Sequence, residues 1–213
     1  MENKKEFKRA VPYPKSAYLT FDDGPNDATD QILRILADYK AVATFFMLEP
    51  NMRRYPRTVK RMIRAGHAVG LHGVTHQVSR FYASKRSVVQ EMKRTRQTLR
   101  RITGKDTVLI RVPYGSSPYL KRSYLKALKS AGYRMWDWNV DSLDWKYKNR
   151  YSIELIGKKV NRLGKLKVSP VILLHDQKET AAILPDILML LKKRGYVFRK
   201  LSPSLSPVQF VHE

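Results

Sequence analysis

Apolar and polar positions along this chain follow two alternating periods. Short runs rich in β-branched and aromatic residues read as strands: Ala17–Phe21, Ala43–Leu48, His67–Leu71, Thr107–Arg111, Tyr133–Val140, Pro170–Leu174 and Tyr196–Leu201. Between them, apolar residues fall near helical spacing over Ala28–Tyr39, Tyr55–Ala65, Ser87–Ile102, Tyr119–Ala131, Ile153–Leu163 and Ala181–Arg194. Gly66, Gly132 and Gly195 each end a helix directly before a strand, which is the expected chemistry of a loop from helix to strand. Strands alternating with helices predict an α/β fold with a parallel sheet. Periodicity does not separate a barrel from an open sheet, and the strand count favours the barrel.

The 213 residues suit one domain: a core over about 17–201, an N-terminal extension over 1–16 and an irregular tail over 202–213 containing Pro203 and Pro207. The absence of cysteine excludes a disulfide framework, thiolate metal sites and a cysteine nucleophile. No stretch has the length of a transmembrane helix, and the first residues, MENKKEFKRAVPYPK, have no apolar signal-peptide region. A cell-envelope location is expected if an export signal has been removed, and a cytoplasmic one otherwise.

Charge adds a second theme. Lys and Arg number 42 against 18 acids, a formal net charge of +24. Such a surface attracts polyanions: nucleic acid, anionic membrane or an anionic cell wall. The helix around Lys85–Arg101 is the most basic segment, with Lys85, Arg86, Lys93, Arg94, Arg96, Arg100 and Arg101 against the single acid Glu91. No nucleic-acid motif accompanies the charge, so no specific nucleic-acid partner is expected. Anionic cell-envelope polymers are the expected partners of that kind.

Parallel α/β sheets place their sites at the carboxyl ends of strands. After the first strand come Asp22 and Asp23; after the third, His72 and His76; after the fourth, Arg111. After the fifth come Asp141, Asp144 and Trp145, and after the sixth, His175. His72 and His76 are spaced to point one way if the loop makes a helical turn. Two imidazoles and a carboxylate suit a borderline divalent ion and leave a coordination position open for water. Zn2+ fits such donors first, with Co2+, Mn2+ and Ni2+ as alternatives. Turn chemistry accounts for Gly24 and Pro25 but not for two carboxylates ahead of them. One of the two Asp can ligate the metal while the other serves as base to a metal-activated water.

The motifs TFDDGP, HGVTH, RVPYG, DSLDW and LLH, in this order from about Ala17 to Leu201, resemble those of the NodB-homology polysaccharide deacetylases, carbohydrate esterase family 4. The resemblance implies a distorted (β/α)7-8 barrel. It also implies a metal-dependent hydrolase removing N-acetyl groups from N-acetylglucosamine-containing polysaccharide, peptidoglycan or chitooligosaccharide. An acetylxylan-type O-deacetylase and a non-catalytic wall-binding module on the same fold are the alternatives. Carried over residue by residue, it makes Asp22 the general base and Asp23, His72 and His76 the metal ligands. Arg111 would pair with Asp22, and His175, oriented by Asp144, would be the general acid. The Tyr114 backbone N–H would meet the oxyanion, and Trp145 and Leu173 would line the acetyl-methyl pocket. One position departs from the pattern: Gly73 stands where the family carries Ser or Thr, whose side chain steadies the loop.

Overall fold

A computed structural model of the chain describes residues 15–147 and 150–210. Most of the expected N-terminal extension, residues 1–14, lies outside the described residues, as do tail residues 211–213.

The first strand, Ser16–Asp22 (β1), is buried at every position. A strand buried on both faces belongs in the middle of a parallel sheet. It pairs in parallel with Thr44–Met47 (β2) on one side and Val171–His175 (β7) on the other. Beyond β2 follow Ala68–Leu71 (β3), Leu109–Ile110 (β4) and Arg134–Met135 (β5). Beyond β7 comes Val140–Asp141 (β6), and Val197–Phe198 (β8) pairs with the first residues of β1.

The expected helices are present as Thr29–Asp38 (α1), Pro56–Arg64 (α3), Lys85–Thr103 (α5), Arg122–Ser130 (α6), Arg150–Lys165 (α8) and Lys178–Lys193 (α9). Gly66, Gly132 and Gly195 follow α3, α6 and α9 with φ of 85°, 82° and 76°, the left-handed stop that glycine tolerates. Three short helices have no counterpart in the sequence pattern: Glu49–Arg54 (α2), Val78–Phe81 (α4) and Asp144–Tyr147 (α7). Each is too short for a helical period to register.

The expected strand Tyr133–Val140 is in fact two. Its halves, β5 and β6, sit at opposite edges of the sheet. The backbone between them passes from partner to partner: Trp136 N–H donates to Ile110 O at 2.8 Å, Asp137 N–H to Val208 O at 2.7 Å and Asn139 N–H to Val171 O at 3.1 Å. One continuous run therefore bridges the edges of a curled parallel sheet, and the C-terminal tail fills the seam. Period-2 alternation misses this, because it reads residue types and not the partners that each half pairs with.

The curl separates two apolar cores. Ala17, Leu19 and Phe21 of β1, with Ile172 and Leu174 of β7, face the larger core, to which the helices contribute Ile32, Leu99 and Leu188. Tyr18, Phe46, Leu109, Trp136 and Val171 form the smaller core on the other face. Gly70 of β3 makes room for it, since a Cβ there would lie 2.5 Å from the Phe46 ring. Thr20 and Asp22, alternating with the helix-facing residues of β1, share that inner face at the carboxyl end of the strand.

The basic face of α5 is partly neutralised, because Arg96 and Arg100 both bind Asp106, at 2.6 and 2.5 Å. Among the described residues no helix is long and apolar enough to cross a membrane.

Asp137 clamps the seam. Its buried carboxylate accepts from Ser116 N–H at 2.8 Å, Ser116 Oγ at 2.5 Å and Phe210 N–H at 2.7 Å. Asp137→Ala leaves those donors without their acceptor. It should lower the urea unfolding free energy by on the order of 3 kcal/mol, against under about 0.5 for an exposed substitution such as Lys126→Ala.

Candidate active site

Asp22 and His175 are register partners on β1 and β7. The sheet therefore brings two residues far apart in sequence to the same level at the carboxyl ends of neighbouring strands. Asp22 is buried, and its Oδ1 accepts from Arg111 Nη1 at 2.8 Å. The guanidinium has no exposed surface, and each of its three nitrogens donates. It also donates to Thr20 Oγ1 at 2.8 Å, Asp137 O at 3.0 Å and Trp136 O at 3.2 Å, and it lies over the Phe46 ring, 4.4 Å from its centroid. On the other side of the carboxylate, His72 Nε2 approaches Asp22 Oδ2 at 3.8 Å.

Next to this pair, Asp23, His72 and His76 converge. Asp23 Oδ1 lies 3.4 Å from both His72 Nε2 and His76 Nε2, and ligand atoms of the three residues lie within 4.8 Å of one another. Asp23 adopts φ of 72°, which turns its carboxylate out of the strand line toward the imidazoles, and Asn51 donates to its carbonyl at 2.7 Å. His72 Nδ1 sits 2.8 Å from Arg111 O. A carbonyl can only accept, so Nδ1 carries a hydrogen and Nε2 faces Asp23.

Electrostatics fit a cation here. Burial works against the Asp23 charge, but His72, His76 and His175 outweigh it and hold the carboxyl well below the usual carboxylate range. Burial disfavours a charged His72, while Asp22 and Asp23 favour it and raise its pKa; burial and His72 lower that of His76. Asp23 Oδ1 is shielded from water and makes no hydrogen bond. A shielded anionic oxygen without a donor, facing two imidazole nitrogens, is a donor set that can hold a divalent ion.

His175 forms the other half. Its Nδ1 lies 2.7 Å from Asp144 Oδ1, and its backbone N–H donates to Asp144 Oδ2 at 2.7 Å. Thr180 Oγ1 and Trp145 N–H also bind the Asp144 carboxylate, at 2.6 and 2.9 Å. Burial opposes a charged imidazole, but Asp144, then Asp22 and Asp23, raise the His175 pKa to about 9. Asp144 is lowered in turn, its burial outweighed by His175.

The remaining expected residues lie around these two groups. Tyr114 takes φ of 65° and its hydroxyl donates to His76 O at 3.1 Å. Among the described residues its backbone N–H has no hydrogen-bond partner. Leu173 is buried but belongs to neither apolar core, and it shares the β7 face of His175. Trp145 exposes 53% of its surface. Asp141, which shares the DSLDW motif, caps its own loop by accepting from Leu143 N–H at 2.9 Å.

Three acids that matter locally escape a motif reading. Asp137 closes the seam beside Arg111. Asp176 lies beneath the Asp22–Pro25 turn, so close that a Cβ on Gly24 would meet its Oδ2 at 2.0 Å; burial pushes its carboxyl up to about 7. Glu91 binds the loop between the two imidazoles. Only Glu91 left a trace in the sequence, as the one acid of a basic helix.

The comparisons agree with this architecture. Residues 10–136 match the family model for polysaccharide deacetylase. A peptidoglycan-N-acetylglucosamine deacetylase of Bacillus cereus is 38% identical over 204 residues, covering 93% of this chain and 74% of that protein. A chitooligosaccharide deacetylase of Sinorhizobium fredii is 31% identical, covering 87% of this chain and 90% of its own. The crystal structure of the polysaccharide deacetylase Bc1974 from Bacillus cereus superposes with a TM-score of 0.85 at 38% identity, over 94% of this chain and 98% of that one. A curled parallel sheet with paired acid and imidazole groups at its strand ends thus defines a carbohydrate-acting hydrolase fold of the NodB-homology type. The chain belongs to the polysaccharide deacetylase family.

The His175–Asp144 pair makes a direct prediction. With a folded pKa near 9 against 6.5 for the free side chain, the pair contributes stability fully below about pH 6.5 and loses it as pH rises through about 9. In the metal-stripped protein, NMR titration should find His175 protonated at neutral pH. Asp144→Asn should lower its pKa by roughly 1–3 units.

Proposed function

We propose that this site removes N-acetyl groups from an N-acetylglucosamine-containing polysaccharide, with peptidoglycan as the first substrate to expect and chitooligosaccharides next. The observation that carries the reading is the register pairing of Asp22 with His175 beside the Asp23–His72–His76 group. A carboxylate and an imidazole at neighbouring positions support a proton acceptor and a proton donor serving one reacting centre. The names of the relatives support the substrate class.

Asp23, His72 and His76 would hold one divalent cation, Zn2+ first by donor type. When bound, that ion supplies Lewis-acid chemistry, polarising the acetyl carbonyl and acidifying water. The protein's own groups do the rest. Asp22 takes the proton of the attacking water, and Arg111 holds that carboxylate in place and aimed. The uncommitted Tyr114 N–H donates to the oxygen that becomes negative in the tetrahedral state. His175, charged at neutral pH through Asp144, gives its proton to the departing amine. The Leu173 and Trp145 side chains bound the space for the acetyl methyl.

Acetate release should be measured on N-acetylglucosamine oligomers and on peptidoglycan, side by side. The native chain is expected to release acetate, and Asp22→Asn, which keeps the shape but not the base, to lose at least about 100-fold in kcat. Release from acetylated xylan alone would replace the amide reading with ester hydrolysis. Glycan binding with no release from any of the three would replace it with a binding module.

A further inference from the structure

We infer that Glu91 is a positioning residue for the metal-ligating loop: from α5 its carboxylate fixes the backbone between His72 and His76 and so sets the approach of the second imidazole. The inference rests on the reading of Asp23, His72 and His76 as metal ligands.

The two imidazoles are anchored differently. His72 directly follows β3, with its N–H on Met47 O at 2.8 Å and its ring on Arg111 O, so the sheet places it. His76 has no strand beneath it. It follows a loop without regular structure and adopts φ of 48°, so its ring goes where the loop directs it.

That loop is held from α5. The N–H groups of Val74 and Thr75 both donate to Glu91 Oε2, at 2.9 and 3.0 Å, and Thr75 Oγ1 donates to Glu91 Oε1 at 2.6 Å. Two successive amides aimed at one carboxylate oxygen form a concave anion site, and the hydroxyl occupies the other oxygen. Two further contacts frame it: Glu49 N–H binds Gly73 O at 2.9 Å, and the Tyr114 hydroxyl binds His76 O. Gly73 leaves the carboxylate room. At φ of 94°, a Cβ there would be 2.9 Å from the Phe81 ring and 3.2 Å from Glu91 Oε2. A side chain at position 73 would press first on the Phe81 ring and then, by a few tenths of an ångström, on the Glu91 carboxylate.

The position of Glu91 on α5 fits this role. The surrounding basic residues leave it the helix's one carboxylate, directed inward at the loop while Lys93, Arg94 and Arg101 face out. Ligand-orienting contacts of this kind typically change metal affinity by about 10–100-fold.

The test is the Zn2+ affinity of the metal-stripped full chain, read by competition with a chromogenic chelator, alongside urea unfolding without metal. Glu91→Ala is expected to weaken Zn2+ binding by roughly 10–100-fold. Glu91→Gln, which keeps one carbonyl acceptor for the two amides, should fall between it and the native chain. Hydrogen exchange of the Val74 and Thr75 amides should accelerate in both variants. Unchanged Zn2+ affinity in folded Glu91→Ala would overturn the inference, whatever happens to the unfolding midpoint. If that variant does not fold, unchanged affinity and unchanged Val74 and Thr75 exchange in Glu91→Gln overturn it equally. A native chain that binds no Zn2+ would instead overturn the metal reading itself.

Discussion

Everything at the strand ends depends on one buried cation. Arg111 has no exposed surface, and a guanidinium taken out of water costs several kcal/mol unless its donors are met. Here Asp22, Thr20 and the carbonyls of Trp136 and Asp137 meet them, and the Phe46 face covers the plane. The same residue's carbonyl receives His72 Nδ1. One side chain and its own peptide group therefore fix the carboxylate of β1, the crossover between β5 and β6, and the tautomer of a candidate metal ligand. Such a pair is weak evidence for stability, because apolar replacements often do as well. It is a strong constraint on geometry, because each partner is left costly if another moves.

The curl of the sheet turns that constraint into a site. Period 2 puts Thr20 and Asp22 on the inner face of β1, and Leu173 and His175 on the inner face of β7. Apolar packing fills the interior below, through Tyr18, Phe46, Trp136 and Val171. Above it, polar groups gather where the strands end and the loops begin. The Asp22 carboxylate is held by a guanidinium from β4's end, and the His175 imidazole by a carboxylate from α7. Their partners carry opposite charge: Asp144 keeps His175 charged up to about pH 9, while Asp22 faces the permanent cation of Arg111. Opposed environments for neighbouring groups are what acid and base work at one pH requires.

Much of this is legible in the sequence because it obeys local rules. The Asp pair stands out as charge at the end of an apolar strand, and the glycine stops mark the helix ends. The strand-end rule gathers Asp22, His72, Arg111, Asp144 and His175 from chain order alone. What stays hidden depends on partners distant in sequence. Tyr133–Val140 reads as one strand from its residue types; the irregular stretch 136–139 and its change of neighbours divide it. The tail reads as irregular, which it is over residues 202–210, yet Val208 and Phe210 complete the seam through their own backbone groups, which leave no side-chain signature. Glu91 registers as a lone acid on a basic helix, but helical spacing gives its face and not the loop amides it meets. Asp176 looks like an appendage of LLH, and its burial under Gly24 is visible only in three dimensions.

The proposed function needs Asp23, His72 and His76 to assemble a metal centre beside the Asp22–His175 pair. Its most direct test is a Zn2+ titration of the metal-stripped chain, with acetate release from N-acetylglucosamine oligomers read at each addition. The account predicts no release without metal and a linear rise that levels off at one equivalent per chain. Release from the stripped chain at the fully loaded rate would contradict it.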